Sequence, residues 1–249
     1  MMAEDETPPD PDLAVPHPGM TPEEKGQLLM AYVTAGVSFA GKKYVWSFAL
    51  ADLTDAPLAK ADLQNAFLKR VNLKGANLEG ADLEEADLEG ANLKGANLKR
   101  ATLRGVNLRK ADLKGVHLAG ADLEGADLEG ADLEGADLEG AKFKGVHLRR
   151  VSLKGTDLKG RNLSGANLSG ADLEGADLSE ARLQSANLKG ANLSGAKFKG
   201  VHLAGADLSG ADLSGARLEV ANLREADLRG AKLPLAKLRR ANLRRAKVG

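Results

Sequence analysis

The sequence predicts an all-β fold, a repeating coil that turns a corner every five residues. Three observations carry that expectation. From Ala51 to Ala246 a phrase that reads A-(D/N)-L-x-G recurs without insertion. The forty first positions of the phrase hold 32 alanines, the others being Val71, Val106, Val116, Val146, Val151, Thr156, Arg161 and Val201. The forty third positions hold 37 leucines, with Phe143, Phe198 and Val248 as exceptions. A strict period of five fits neither a helix of 3.6 residues per turn nor an alternating strand, so a repeated turn must place two residues of every five inside.

Each part of the phrase has a physical job. Leucine is the one large apolar group and points to the axis; alanine fits the cramped corner. The fifth residue, usually glycine, permits a turn with positive φ, and the Asp or Asn side chain can accept a bond from a nearby backbone N–H. Turning the chain by a right angle at each phrase closes a coil of about twenty residues. Stacked coils then satisfy one another's backbone groups at about 4.8 Å spacing. Each buried leucine is worth about 2 kcal/mol of transfer free energy before entropy is subtracted. A disordered tract would not keep leucine at a fixed period over such a length.

This phrase closely resembles the pentapeptide-repeat family. The resemblance implies a right-handed quadrilateral β-helix, a solenoid; the period alone does not separate a square section from a triangular one. Most known relatives have no assigned activity, and the expected protein is bacterial and non-catalytic. Some relatives protect DNA gyrase and other topoisomerases from inhibitors such as quinolones, and so confer antibiotic resistance, by imitating duplex DNA.

The expected domains are an acidic, proline-rich disordered tail over 1–20, a capping helix over 21–36, and a β-helix of about ten to eleven coils over 37–249. The tail holds five prolines among residues 1–20 and has no apolar run of the kind a secretory signal needs. Thr21-Pro22-Glu23-Glu24 reads as a helix start with a capping box. Leu28, Leu29, Tyr32 and Val33 form its apolar face before Gly36. Val37-Ser38-Phe39 and Lys42-Lys43-Tyr44 read as two degenerate phrases, and Phe39, Tyr44, Trp46 and Phe48 as an aromatic plug with Phe67 facing outward.

At the other end Leu233, Leu238, Leu243 and Val248, with Leu235 beside Pro234, would expose apolar side chains and open backbone. These residues are the expected contacts of a homodimer through the C-terminal coil.

Charge sums to zero, 35 basic against 35 acidic residues. It is uneven: Asp122, Glu124, Asp127, Glu129, Asp132, Glu134, Asp137 and Glu139 make one coil acidic on every wall and form the candidate interaction surface. Residues twenty apart often alternate in sign, as in Lys69, Glu89, Arg109, Glu129 and Arg149. Alternation opposes imitation of DNA, whose phosphates give an unbroken negative surface. The basic residues after Arg217 lack the interleaved aromatics of a base-stacking surface, which argues against direct nucleic-acid binding.

No catalytic, cofactor-binding or metal-binding residue is expected. His117, His147 and His202 share the phrase V-H-L, but their separations place them on different walls. Acidic pairs recur everywhere without a pocket, and Ser164 and Ser169 have no histidine base at hand. Arg161 is the one structural irregularity, a guanidinium at a corner where alanine is the rule. It must widen the corner or bend out, toward Asp157 or Asp177.

Two readings of function follow. The first is a non-catalytic solenoid that presents a rigid charged surface to an unknown protein partner. The alternative is a DNA mimic that binds a type II topoisomerase. The chain has no cysteine and no apolar stretch long enough to span a membrane, which together point to the cytoplasm.

Overall fold

The computed structural model describes residues 16–37, 47–234 and 236–249. Residues 1–15 of the expected tail over 1–20, residues 38–46 with Phe39, Tyr44 and Trp46 of the degenerate phrases and aromatic plug, and Leu235 lie outside the described residues.

α1 spans Pro22–Thr34. Thr21 caps it: its hydroxyl accepts from the Glu24 N–H at 3.1 Å, and the Glu24 carboxylate accepts from the Thr21 N–H at 2.7 Å. That exchange with the Thr21 backbone holds the Glu24 carboxyl below its ordinary value. Leu29 and Tyr32 are fully buried, and the Tyr32 ring meets Phe48 edge-on at 6.0 Å.

The helix sits directly on the first phrases. The Asp52 N–H donates to the Pro22 carbonyl at 2.8 Å, and Lys25 Nζ donates to the Ala49 carbonyl at 3.2 Å. Gly26 is needed at that contact, because a Cβ there would overlap the Asp52 carbonyl. Gly26→Ala is expected to lower stability by about 1–3 kcal/mol, as overpacking does. Denaturant melts at two probe sites check this: signals from residues 47–75 should be lost earlier, while those near Leu208 should not move.

From Ser47 onward nearly every phrase places its second residue in a parallel bridge with the residue twenty positions later, as in Asp52 with Asn72 and Asn72 with Asn92. The third residue donates its N–H to the second residue of the next circuit, as Leu73 does to Asn92 at 2.7 Å. The fifth donates to the fourth, as Gly75 does to Lys94 at 3.0 Å. First and third residues are buried almost throughout, from Ala51 to Leu228. The core is therefore a column of leucine lined by alanine.

The expectation of an all-β fold, a right-handed quadrilateral β-helix, is corrected here. Among the described residues no strand and no sheet forms, and α1 is the one regular element. The rest is turn and coil held by single-residue bridges. The phrase itself explains the difference. A strand needs consecutive paired residues, but here the chain turns two residues after each bridge. The fifth residue then takes a left-handed conformation, as at Gly90 with φ 68°, and that ends any extension. Non-glycine residues accept it too, Glu85 at φ 57° and Arg100 at φ 57° among them.

Candidate functional site: a parted step at Arg161

Side chains of the second position fasten the turns. Asp62, Asp82, Asp127 and Asn107 each accept the N–H of the residue two places on, at 3.0–3.2 Å. Such bonds fix each corner from within its own phrase. Between circuits, cations of the fourth position are forked between two carboxylates. Lys69 reaches Asp87 at 3.3 Å and Glu89 at 3.0 Å. Arg109 reaches Asp127 at 3.1 Å and Glu129 at 2.7 Å, and Lys114 reaches Asp132 and Glu134, both at 3.2 Å.

The titrations follow from these contacts. Hydrogen bonds to Glu89 and then Asp87 raise Lys69, and that to Glu134 and then Asp132 raises Lys114. Burial pushes Asp122 up, but bonds from Lys142, the Glu124 backbone and Arg104 together outweigh it and leave the carboxyl below its ordinary value. Arg229 draws Asp227 down to about 2. The partners at a separation of twenty belong to the charge columns of the sequence. Those at eighteen, such as Lys69 with Asp87, fall outside those columns, although a second-position carboxylate two residues before the vertical neighbour, as Asp87 before Glu89, is the visible signal.

The predicted acidic coil is therefore less bare than its composition suggests. Asp122, Glu124, Asp127, Glu129, Asp132 and Glu134 all meet a cation of an adjoining circuit, Lys142 and Arg149 among them. Asp137 and Glu139 make no ion pair among the described residues.

Those two carboxylates lie at a break in the ladder. The bridges that the register calls for between Asp137 and Asp157, and between Lys142 and Asn162, do not form. Among the described residues, the N–H groups of Leu138, Gly140, Phe143 and Gly145 donate to nothing, although their counterparts one circuit earlier, Leu118 and Gly120, donate to Asp137 and Glu139 at 2.8 and 2.7 Å. Above the break the ladder resumes: Leu158 donates to Asp177 at 2.8 Å and Gly160 to Ser179 at 2.9 Å.

Thr156 and Arg161 mark the upper lip. Both occupy corners that elsewhere hold alanine or valine. A valine corner on the upper lip keeps its ladder at Val151, where the Ser152 N–H donates to the Ala131 carbonyl and the Val151 carbonyl accepts from the Asp172 N–H, both at 2.9 Å. An aromatic third residue is also tolerated, because Phe198 still donates to Arg217 at 2.7 Å. What this step has and the intact ones lack is polar corners on its upper lip; on the side away from the break the Thr156 and Arg161 carbonyls still accept from the Asp177 and Arg182 N–H groups at 3.0 and 2.8 Å.

Thr156 is buried, with its hydroxyl 3.4 Å from the carbonyls of Leu133 and Lys154. Arg161 is half-buried, and its Nε is buried with no hydrogen-bond partner. Among the described residues it forms no ion pair with Asp157 or Asp177. Between the lips lies a cavity of 450 Å³ lined by Asp137, Glu139, Asp157, Lys159, Arg161 and Glu180, among others.

A profile described as Pentapeptide repeats matches the chain in eight copies, over 51–160 and again over 162–248, with Arg161 between the two stretches. The chain belongs to the pentapeptide-repeat family. Proteins of the pentapeptide-repeat family are structural and interaction modules, not enzymes.

Among solved structures, the chain is 38% identical to HetL, a pentapeptide-repeat protein involved in heterocyst differentiation regulation in Nostoc sp. strain PCC 7120. The match covers 88% of this chain and 95% of HetL, with a TM-score of 0.48. It is 22% identical to full-length QnrB1, a plasmid-mediated fluoroquinolone resistance protein, over 75% of this chain and 86% of QnrB1, with a TM-score of 0.48. It is 30% identical to a pentapeptide-repeat protein of the Arabidopsis thaliana thylakoid lumen over 49% of this chain and 67% of that one, with a TM-score of 0.19. No curated protein matches the chain.

Both functional readings drawn from the sequence are corrected. A surface for an unknown protein partner and a DNA mimic for a topoisomerase each required a rigid β-solenoid, and the described residues hold no strand or sheet to build one. The acidic coil weakens the mimic further, since cations interrupt its negative charge. No helix of the described residues is long and apolar enough to cross a membrane. No group of three His, Cys, Asp or Glu side chains comes together to hold a metal among them.

Proposed function

We propose that this pentapeptide-repeat protein is a non-catalytic structural module that pairs with a second copy of itself through the turn over 231–249. One observation carries the reading: this turn exposes the column that every earlier circuit buries. Leu243 is 39% and Val248 70% exposed, whereas Leu223 and Leu228, one circuit below, are 0% and 4% exposed. Leu233 and Leu238 are partly buried.

Among the described residues, the N–H groups of Leu233, Leu238, Leu243 and Val248 donate to nothing, and the carbonyls of Ala231, Ala236, Ala241 and Ala246 accept nothing. An edge that offers both donors and acceptors can pair with its own copy about a two-fold axis. Leu243, Val248, Leu233 and Leu238 then cover one another.

The basic side chains around this turn, Arg239, Arg240, Arg244 and Arg245, would face like charges across the axis. Salt should therefore tighten the pair. Sedimentation equilibrium at micromolar concentration is expected to give twice the 26.0 kDa of one chain. Leu243→Glu with Val248→Glu should return it to one. A wild-type mass of one chain, or a pair that survives both substitutions, would overturn the reading.

A further inference from the structure

We propose that the parted step at Arg161 is a binding site for a small zwitterion, a free basic amino acid, lying in circuits apart from the self-pairing turn and independent of it. Donors without acceptors and carboxylates without cations meet there, and they ask for opposite chemistry. On one side are donors without acceptors among the described residues: the buried Nε–H of Arg161 and the N–H groups of Leu138 and Gly140. A buried donor left unpaired is costly, so an acceptor placed among them is strongly favoured. A carboxylate is that acceptor, and it would also oppose the charges of Arg161 and Lys159.

On the other side are carboxylates without cations. Asp137, Glu139, Asp157 and Glu180 line the same cavity, and none of them forms an ion pair among the described residues. They differ in this from the run just before them, where Asp122, Glu124, Asp127, Glu129, Asp132 and Glu134 each meet a lysine or arginine. With Lys159 and Arg161 as the cations, these six side chains have a surplus of negative charge. A plain anion would be repelled by them, and a plain cation would leave the donors unanswered. One carboxylate joined to two ammonium groups answers both sets. The 450 Å³ cavity is within the range of about 300–1,000 Å³ that small-ligand sites occupy.

The test uses the full chain and L-lysine as the probe, followed by calorimetry and by the amide signals of Leu138 and Gly140. Two analogues each remove one charged group: cadaverine has no carboxylate, and Nα-acetyl-L-lysine has no α-ammonium. L-lysine is expected to bind, to shift both amide signals, and to exceed each analogue by about tenfold or more, the worth of a hydrogen bond to a charged group.

Arg161→Met keeps a long side chain at the corner and removes its donors. It is expected to lose about tenfold in affinity while Leu138 and Gly140 stay open to hydrogen exchange, which shows that the step has not closed. Cadaverine binding as tightly as L-lysine would reduce the site to an acidic patch and overturn the proposal. Equal binding of Nα-acetyl-L-lysine would overturn it as well. So would unchanged affinity in Arg161→Met, or no binding of L-lysine to the wild-type chain.

Discussion

Replacing Arg161 by alanine is expected to raise the melting temperature by about 5–10 °C. The small corner residue lets the two lips meet, and the N–H groups of Leu138, Gly140, Phe143 and Gly145 then regain the acceptors that the register assigns to them. Each restored backbone bond contributes about 0.5–1.5 kcal/mol net. In a chain of this size each kcal/mol moves the midpoint by about 2–4 °C. Removing the buried, unpartnered Nε works in the same direction. Thermal unfolding followed by circular dichroism or calorimetry checks the shift. A clear fall would mean that the arginine bonds the stack together and that the break has another cause.

The second large effect has the opposite sign. Leu188 is fully buried in an intact part of the column, between Leu168 and Leu208, and its N–H donates to the Asp207 carbonyl at 2.7 Å. Leu188→Ala should cost about 2–5 kcal/mol, the lost transfer energy plus the cavity left behind. Because each circuit touches only its neighbours, the loss should be local. Hydrogen exchange is expected to quicken at Leu168, Leu188 and Leu208, with Leu78 unchanged. A uniform rise in exchange along the chain would show one cooperative unit and contradict a stack held by neighbour terms.

The sequence makes some of this legible and hides the rest for physical reasons. Leucine at every fifth position, with alanine two places before, is a pattern that only a repeated turn can bury, so the inward column can be read directly. The β expectation fails because stacked circuits do not need strands. A phrase that bridges through its second residue, such as Asn72 or Asn92, and then turns two residues later cannot lengthen a bridge into a strand.

Charge was legible only in part. The column of Lys69, Glu89, Arg109 and Glu129 predicts partners twenty residues apart, but a lysine is long enough to reach Asp87 as well, and that fork appears only in the folded chain. Arg161 stands out at once against its alanines. What it does to the circuit below could not be read, because Leu138 and Gly140 are ordinary members of an ordinary phrase. Their lost partners are visible only when the two lips are seen together.

Amide hydrogen exchange of the wild-type chain tests the parted step most directly. Leu118 and Gly120, whose N–H groups donate at 2.8 and 2.7 Å, should be strongly protected, as should Leu158 and Gly160 above the break. Leu138, Gly140, Phe143 and Gly145 should exchange far faster than these neighbours on both sides. Equal protection across all three circuits would show an unbroken ladder and contradict the account of Arg161.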